Sequence, residues 1–213
     1  MSGKNKLQNL AYEQLRRLLM HSQLPAGTRL KETEWSARLG VYRSALREAM
    51  GLLAHEGLLR RGERGGYFVP ELTPCEVREI LQARSAIETG AVRMIATAGP
   101  ESGALGRLND LCDQMQQMAE CGYEMGVEEA DRKFHQALVE LSGNSRLIRL
   151  YEHAPLPFRP PNFIDAEARK RVALMAVSEH RRIAQLIAQG SFSEAIELIE
   201  THLARIPKAA LPE

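Results

Sequence analysis

Beyond Val69 the chain carries helix punctuation and few strand signals, which limits its larger part to packed helices. Thr73-Pro74-Cys75-Glu76 is a capping box with proline at the first helical position. It opens a helix predicted to run to about Thr97, where Gly99-Pro100 breaks the pattern. Apolar residues at helical spacing predict five more helices, over roughly 101–120, 126–141, 145–152, 165–189 and 193–206. Six helices without strands predict an antiparallel bundle. The exception is Ala154-Pro155-Leu156-Pro157-Phe158-Arg159-Pro160-Pro161-Asn162-Phe163, whose prolines forbid helix. Its apolar residues leave two readings open, a lid over the bundle or a packed connection.

The front of the chain follows a different order. Leu7, Leu10, Ala11, Leu15, Leu18 and Leu19 predict a first helix to about His21. After the turn Leu24-Pro25-Ala26-Gly27, Arg29-Leu30 is a candidate short strand. A second helix spans Glu32 to Leu39 and is closed by Gly40. Ser44 is read as the cap of a third helix from Ala45 to His55. Leu58 to Arg61 and Tyr67 to Val69 then form a hairpin around Gly62-Glu63-Arg64-Gly65-Gly66. Three helices followed by a β-hairpin are the order of a winged helix-turn-helix. The fold class is therefore mainly α: a winged helix-turn-helix over residues 1–70 and an all-α antiparallel bundle over 71–213.

Charge follows the same division. Residues 1–70 hold 12 Lys/Arg and 6 Asp/Glu, a net of +6, and residues 71–213 hold 16 and 21, a net of −5. A basic small domain before a mildly acidic larger one suggests a polyanion binder in front. The third helix would enter the DNA major groove by its N-terminal end. Arg43 and Arg47 share one face there, and arginine pairs bidentately with guanine edges. Ser44 and the free amides of the first turn suit a phosphate. Arg64 at the wing tip is a candidate contact to a groove or phosphate, and Gly65 and Gly66 would let the backbone approach closely. Lys31, Arg60 and Arg61 are candidate sequence-blind phosphate contacts.

In the bundle, Asp131 and His135 lie four apart on one helix face, with Cβ atoms about 5–6 Å apart. Gly190 ends one predicted helix, and Ser191-Phe192-Ser193-Glu194 caps the next. His180 lies ten residues before Gly190 and His202 twelve after it. In an antiparallel hairpin these two meet within about 3 Å of rise. One Asp and three His could so converge on a metal, with imidazole suiting Zn, Ni, Cu or Fe and a position left open for a ligand. The spacing alone also fits buried structural histidines or a polar network. His21, His55 and His153 match no pattern and read as surface or boundary residues.

Two resemblances narrow the expectations. Leu39-Gly40-Val41-Tyr42-Arg43-Ser44-Ala45-Leu46-Arg47-Glu48-Ala49-Met50, with Leu53 to Leu59 and Arg64-Gly65-Gly66-Tyr67-Phe68-Val69, resembles the DNA-binding domain of GntR-family bacterial transcription regulators. That pattern usually reads Gly-Val-Ser-Arg-Thr-Pro-Val-Arg-Glu-Ala-Leu. Tyr42 replaces its Ser, and Ser44-Ala45-Leu46 replaces Thr-Pro-Val. The departures sit at the tip of the recognition helix and imply an altered base preference. Arg84 with Glu88, Asp131-Arg132-Lys133-Phe134-His135, Ser142-Gly143-Asn144, and Ser178-Glu179-His180 through His202 resemble the FCD ligand-sensing domain, in its six-helix branch. That resemblance implies a divalent transition metal, Zn or Ni, on Asp131, His135, His180 and His202. It implies a small carboxylate effector contacted by Arg84 and Asn144, although Arg84 could pair with Glu88 and Asn144 could cap a helix. It also implies a homodimer on a short inverted repeat of double-stranded DNA, acting by default as a repressor. A metal-dependent enzyme on the same residues is the alternative; no general base has a placement that supports it.

No long apolar run or signal-peptide pattern is present, so no membrane partner and a cytoplasmic location are expected. Cys75, Cys112 and Cys121 lack a metal or disulfide spacing and read as ordinary thiols.

Overall fold

The structure is a computed structural model that describes residues 3–20, 23–99, 104–152 and 166–210. The Pro-rich segment 154–163, His21 and His153 lie outside the described residues. The chain divides into two compact units, the first Met1–Thr73 and the second beginning at Pro74.

The first unit runs α1 (Gly3–Met20), β1 (Arg29–Leu30), α2 (Glu32–Leu39), α3 (Arg43–His55), β2 (Arg60–Arg61) and β3 (Tyr67–Phe68). Ala11, Leu15 and Leu19 of α1 pack with Leu46, Met50 and Leu53 of α3, Trp35 of α2 and Leu30 of β1. The candidate strand at Arg29-Leu30 forms: it pairs with β3, which also pairs with β2, giving an antiparallel sheet ordered β1-β3-β2. Gly40 ends α2 at φ 63; its N–H bonds the Ala37 carbonyl at 3.3 Å, and the following Val41 N–H bonds the Ser36 carbonyl at 3.1 Å. A side chain at that left-handed position would be strained, so the tight link between α2 and α3 depends on glycine.

Ser44 does not cap α3. Leu46 N–H bonds the Tyr42 carbonyl at 3.0 Å, and Tyr42 has the extended backbone of an N-cap residue, so the helix starts at Arg43. The Tyr42 side chain makes no cap hydrogen bond. Ser44 is instead an exposed residue of the first turn.

The second unit contains α4 (Pro74–Ala98), α5 (Ala104–Glu120), α6 (Glu124–Glu140), α7 (Ser145–Glu152), α8 (Ala166–Ala188) and α9 (Phe192–Ala210). It is the helix bundle expected, with no strand among the described residues. Helix α4 packs on α6 and α9, α5 on α6 and α8, and α8 on α9, while short α7 rests on α4 and α6. Val92, Ile95, Leu108, Met115, Phe134, Leu138, Ile183, Ile199 and Leu203 form the apolar interior. Two ends differ from expectation. Helix α6 begins at Glu124 rather than at Gly126, and α9 continues to Ala210, past Pro207. Among the described residues, no helix is long and apolar enough to cross a membrane.

Candidate functional site

Helix α6 supplies Asp131 and His135, one turn apart; α8 supplies His180 and α9 supplies His202. Gly190, at φ 76, turns α8 back into α9, and this brings His180 and His202 to one height as their distances from the turn require. The Nε2 atom of His180 lies 3.2 Å from Nε2 of His135 and 3.2 Å from Nε2 of His202. Asp131 Oδ1 is 3.6 Å from His180 Nε2 and 3.9 Å from His135 Nε2. One ligand atom from each residue fits within a 4.8 Å span. The three imidazoles are buried, while the Asp131 carboxylate is part-exposed.

A second layer fixes which ring atoms face inward. Glu88 Oε2 accepts from His135 Nδ1 at 2.8 Å, and Glu179 Oε2 accepts from His202 Nδ1 at 2.8 Å. A carboxylate only accepts, so both Nδ1 atoms carry the proton and both Nε2 atoms present lone pairs. His180 has no such partner: its Nδ1 is buried without a hydrogen bond, and its ring is held by stacking on Phe134, with centroids 4.2 Å apart. Burial lowers the His180 pKa well below the usual range, and the neighbouring His135, His202 and Arg84 lower it further. It therefore stays neutral. A single proton on His180 Nε2 can point to only one of the two facing lone pairs. The protein's own hydrogens leave this cluster unsatisfied.

A divalent metal fits it. Two nitrogens about 2.0–2.1 Å from one ion, at about 90–110°, lie about 2.8–3.4 Å apart. The 3.2 Å separations fall in that range. Carboxylate–histidine pairs of the Glu88–His135 kind orient metal-binding imidazoles and raise their basicity.

Glu88 is the hub of the second layer. Its Oε1 accepts from Arg84 Nε at 3.2 Å, Arg84 Nη2 at 3.1 Å and the Tyr151 hydroxyl at 3.1 Å. Burial alone would raise the carboxyl, but the neighbouring His135 and Arg84, with the hydrogen bonds they donate, outweigh it and hold the pKa at about 2. Burial likewise works to raise Glu179, and the hydrogen bonds from His202 and Arg205 bring it below its ordinary value. Arg84 is buried beside the Tyr151 ring, 5.8 Å away. Asn144 accepts the Arg146 and Leu147 amides on its Oδ1 at 3.0 and 3.1 Å, the N-cap of α7. An Asn144→Ala protein should lose about 1 kcal/mol of stability by thermal denaturation, with metal content unchanged. Loss of metal with unchanged stability would place Asn144 at the site rather than at the cap.

In the first unit, Lys31, Arg43, Ser44, Arg47, Arg60, Arg61 and Arg64 are all exposed, as is His55. Gly65 and Gly66 take φ values of 82 and 86, and Gly62 N–H closes the wing tip on the Gly66 carbonyl at 3.0 Å. Sequence reasoning missed two contacts. Glu179 was assigned no role, and Arg47 is held by Glu32, Nε to Oε1 at 2.9 Å and Nη2 to Oε2 at 2.6 Å. The second was visible in principle, since Glu32 opens α2 and Arg47 follows one turn into α3.

A helix-turn-helix with a basic, exposed recognition helix, followed by a helical bundle with clustered imidazoles, defines a two-part transcription regulator. The sequence profile of "Bacterial regulatory proteins, gntR family" matches residues 7–69 and that of the "FCD domain" matches residues 79–205. The chain belongs to the GntR family of bacterial transcription regulators and binds DNA through its helix-turn-helix. It is 29% identical over 196 residues to the HTH-type transcriptional regulator YdhC of Bacillus subtilis (strain 168), covering 90% of this chain and 85% of that one. It is 32% identical over 131 residues to the HTH-type transcriptional repressor RspR of Escherichia coli (strain K12), covering 62% and 57%. The fold matches that of E. coli McbR/YncC with a TM-score of 0.78 at 22% identity, over 98% of this chain and 95% of the other. YdhC and RspR are regulators, as is the matched gntR family, and the enzyme alternative falls away.

Proposed function

We propose that this regulator is a homodimeric repressor, released from a short inverted-repeat operator when a small carboxylate binds at a metal centre in its FCD domain. The observation that carries the reading is the trio of imidazole Nε2 atoms, two of them oriented by carboxylates, which their own hydrogens cannot all satisfy. Asp131, His135, His180 and His202 would hold Zn or Ni. The ion supplies an open coordination position for a carboxylate or hydroxyl oxygen.

The charges around the site support an anionic effector. Asp131, Glu88 and Glu179 against Arg84 and Arg205 sum to −3 + 2 = −1. A divalent ion takes that to +1, and one carboxylate brings it to zero. Arg84 spends Nε and Nη2 on Glu88, which leaves its Nη1 donors for the ligand. Asn144 spends its oxygen on the cap and offers only its amide nitrogen, now 3.4 Å from Met94 Sδ.

In the other domain, Arg43 and Arg47 would read bases. Lys31, Ser44, Arg64 and the backbone at Gly65 and Gly66 would position the phosphates. Two-fold protein symmetry calls for two half-sites, hence the inverted repeat. A protein acting on operator DNA works in the cytoplasm. The RspR relative is named as a repressor, which supports that direction of control.

The test is metal analysis of protein purified without chelator, followed by thermal shift against small carboxylates with and without EDTA. A bound ligand raises Tm by mass action, about 2.7 kcal/mol of stabilisation at a hundred times its Kd. The reading predicts about one metal per chain and a shift by one acid that EDTA abolishes. Metal-free protein with an acid-induced shift indifferent to EDTA would overturn the metal-linked sensor.

A further inference from the structure

Glu32 is the one acid that the described structure places against a candidate DNA-reading arginine. It is the first residue of α2, and Arg47 lies one turn into the recognition helix α3. The two are joined by a two-point contact, 2.9 Å from Nε to Oε1 and 2.6 Å from Nη2 to Oε2. Arg47 nonetheless remains 64% exposed. Arg43 acts on the same carboxylate: after the Arg47 hydrogen bond, the Arg47 and Arg43 charges are what draw the Glu32 pKa down, with burial opposing. A carboxylate at a surface meant for phosphates works against DNA binding through like-charge repulsion.

The geometry of the guanidinium suggests a purpose for Glu32. Arginine has five N–H donors, one on Nε and two on each Nη. Glu32 occupies the side edge, formed by Nε and one hydrogen of Nη2. The end edge keeps one Nη1 and one Nη2 hydrogen in parallel, the pair that matches the O6 and N7 acceptors of guanine. A long, free side chain must give up its rotamers to read a base; one already held loses less on binding.

We propose that Glu32 is a positioning residue for operator recognition, one that fixes Arg47 so that its end edge, and not its side edge, reads a guanine in the major groove. This rests on Arg47 being a base contact. The alternative role for Glu32 is structural, an acid at the N-terminus of α2 stabilised by the helix dipole. A structural role affects stability alike on all DNA and carries no base preference.

The experiment is a selection from duplexes with a random central tract, run in parallel on full-length wild-type protein, Glu32→Gln, Glu32→Asp and Arg47→Ala. Salt titrations on the selected duplex and on one bulk sequence accompany it. Arg47→Ala should erase the guanine preference at one position of each half-site. Glu32→Gln should weaken that same preference about tenfold, while bulk affinity and its salt slope stay within a factor of two. Glu32→Asp keeps the charge at the helix terminus but loses the reach, and should behave like Gln. Unchanged base preference in both Glu32 variants would overturn the proposal, as would Glu32→Gln tightening every duplex alike, which would make Glu32 a mask. If Arg47→Ala leaves all preferences intact, the failure lies in the reading of Arg47 itself. A fall in Tm without a change in preference would assign Glu32 to α2 alone.

Discussion

A His180→Ala protein is expected to leave the column without metal. Zinc sites held by four ligands are worth about 10–16 kcal/mol, so one ligand's share is about 3 kcal/mol, more than a hundredfold in affinity. His180 is the central imidazole of the cluster, 3.2 Å from both other imidazole nitrogens, so its loss separates the remaining two. Metal per chain should fall from about one to under a tenth, and EDTA should no longer lower Tm. A second variant separates coordination from packing. His180→Leu fills much of the same space against Phe134 and removes the lone pair and the buried, unpartnered Nδ1. After exhaustive chelation it should be more stable than chelated wild type, because a buried polar atom without a partner costs about 1–3 kcal/mol. Were both variants to retain full metal content, the four residues would be a polar network and nothing more.

The second large effect is expected at Glu88. Its carboxylate is fully buried and receives Arg84, His135 and Tyr151. Glu88→Ala leaves a buried guanidinium without its counter-charge, and breaking a buried pair from one side costs about 3–5 kcal/mol. It also frees the His135 ring to turn, which should cost about 10–100-fold in metal affinity, as losses of such outer partners do. Glu88→Gln can still accept from His135 Nδ1 but cannot neutralise Arg84. It should retain most of the metal affinity and lose much of the stability, as read by urea denaturation and metal competition in parallel. Equal, small effects of Ala and Gln on both readouts would remove Glu88 as the hub.

What the sequence revealed, and what it hid, follows from which forces are local. The convergence of Asp131, His135, His180 and His202 was legible because two are one helical turn apart and the other two are nearly equidistant from a glycine turn. Both relations are properties of a single chain segment. By helical spacing Glu179 lies about 100° round from His180 on their common helix, off the cluster. It does point away, and what lies in that direction is His202 on the neighbouring helix, 2.8 Å from its carboxylate. No spacing within α8 reveals the face that α9 will cover. Gly126 misled in another way. It read as the start of α6, yet it lies inside the first turn, where a Cβ would fall 2.6 Å from the Tyr123 ring and 2.8 Å from Met118 Sδ. Glycine is there for closeness of packing and marks no boundary. The start of α3 was missed because a serine that can cap competed with an extended Tyr42 that caps through its backbone alone.

Helix α7 has eight residues and none of them is buried. Its ties include the Asn144 cap at one end and the Tyr151 hydroxyl on Glu88 at the other. A helix so short and so thinly covered opens at a cost far below global unfolding. Its amide protons should therefore exchange early, through openings that leave the rest of the bundle closed. Anything that changes how firmly Glu88 holds Tyr151 alters the frequency of those openings. The exchange rate of seven or so backbone hydrogens on α7 thus becomes a gauge of the state of four side chains on three other helices.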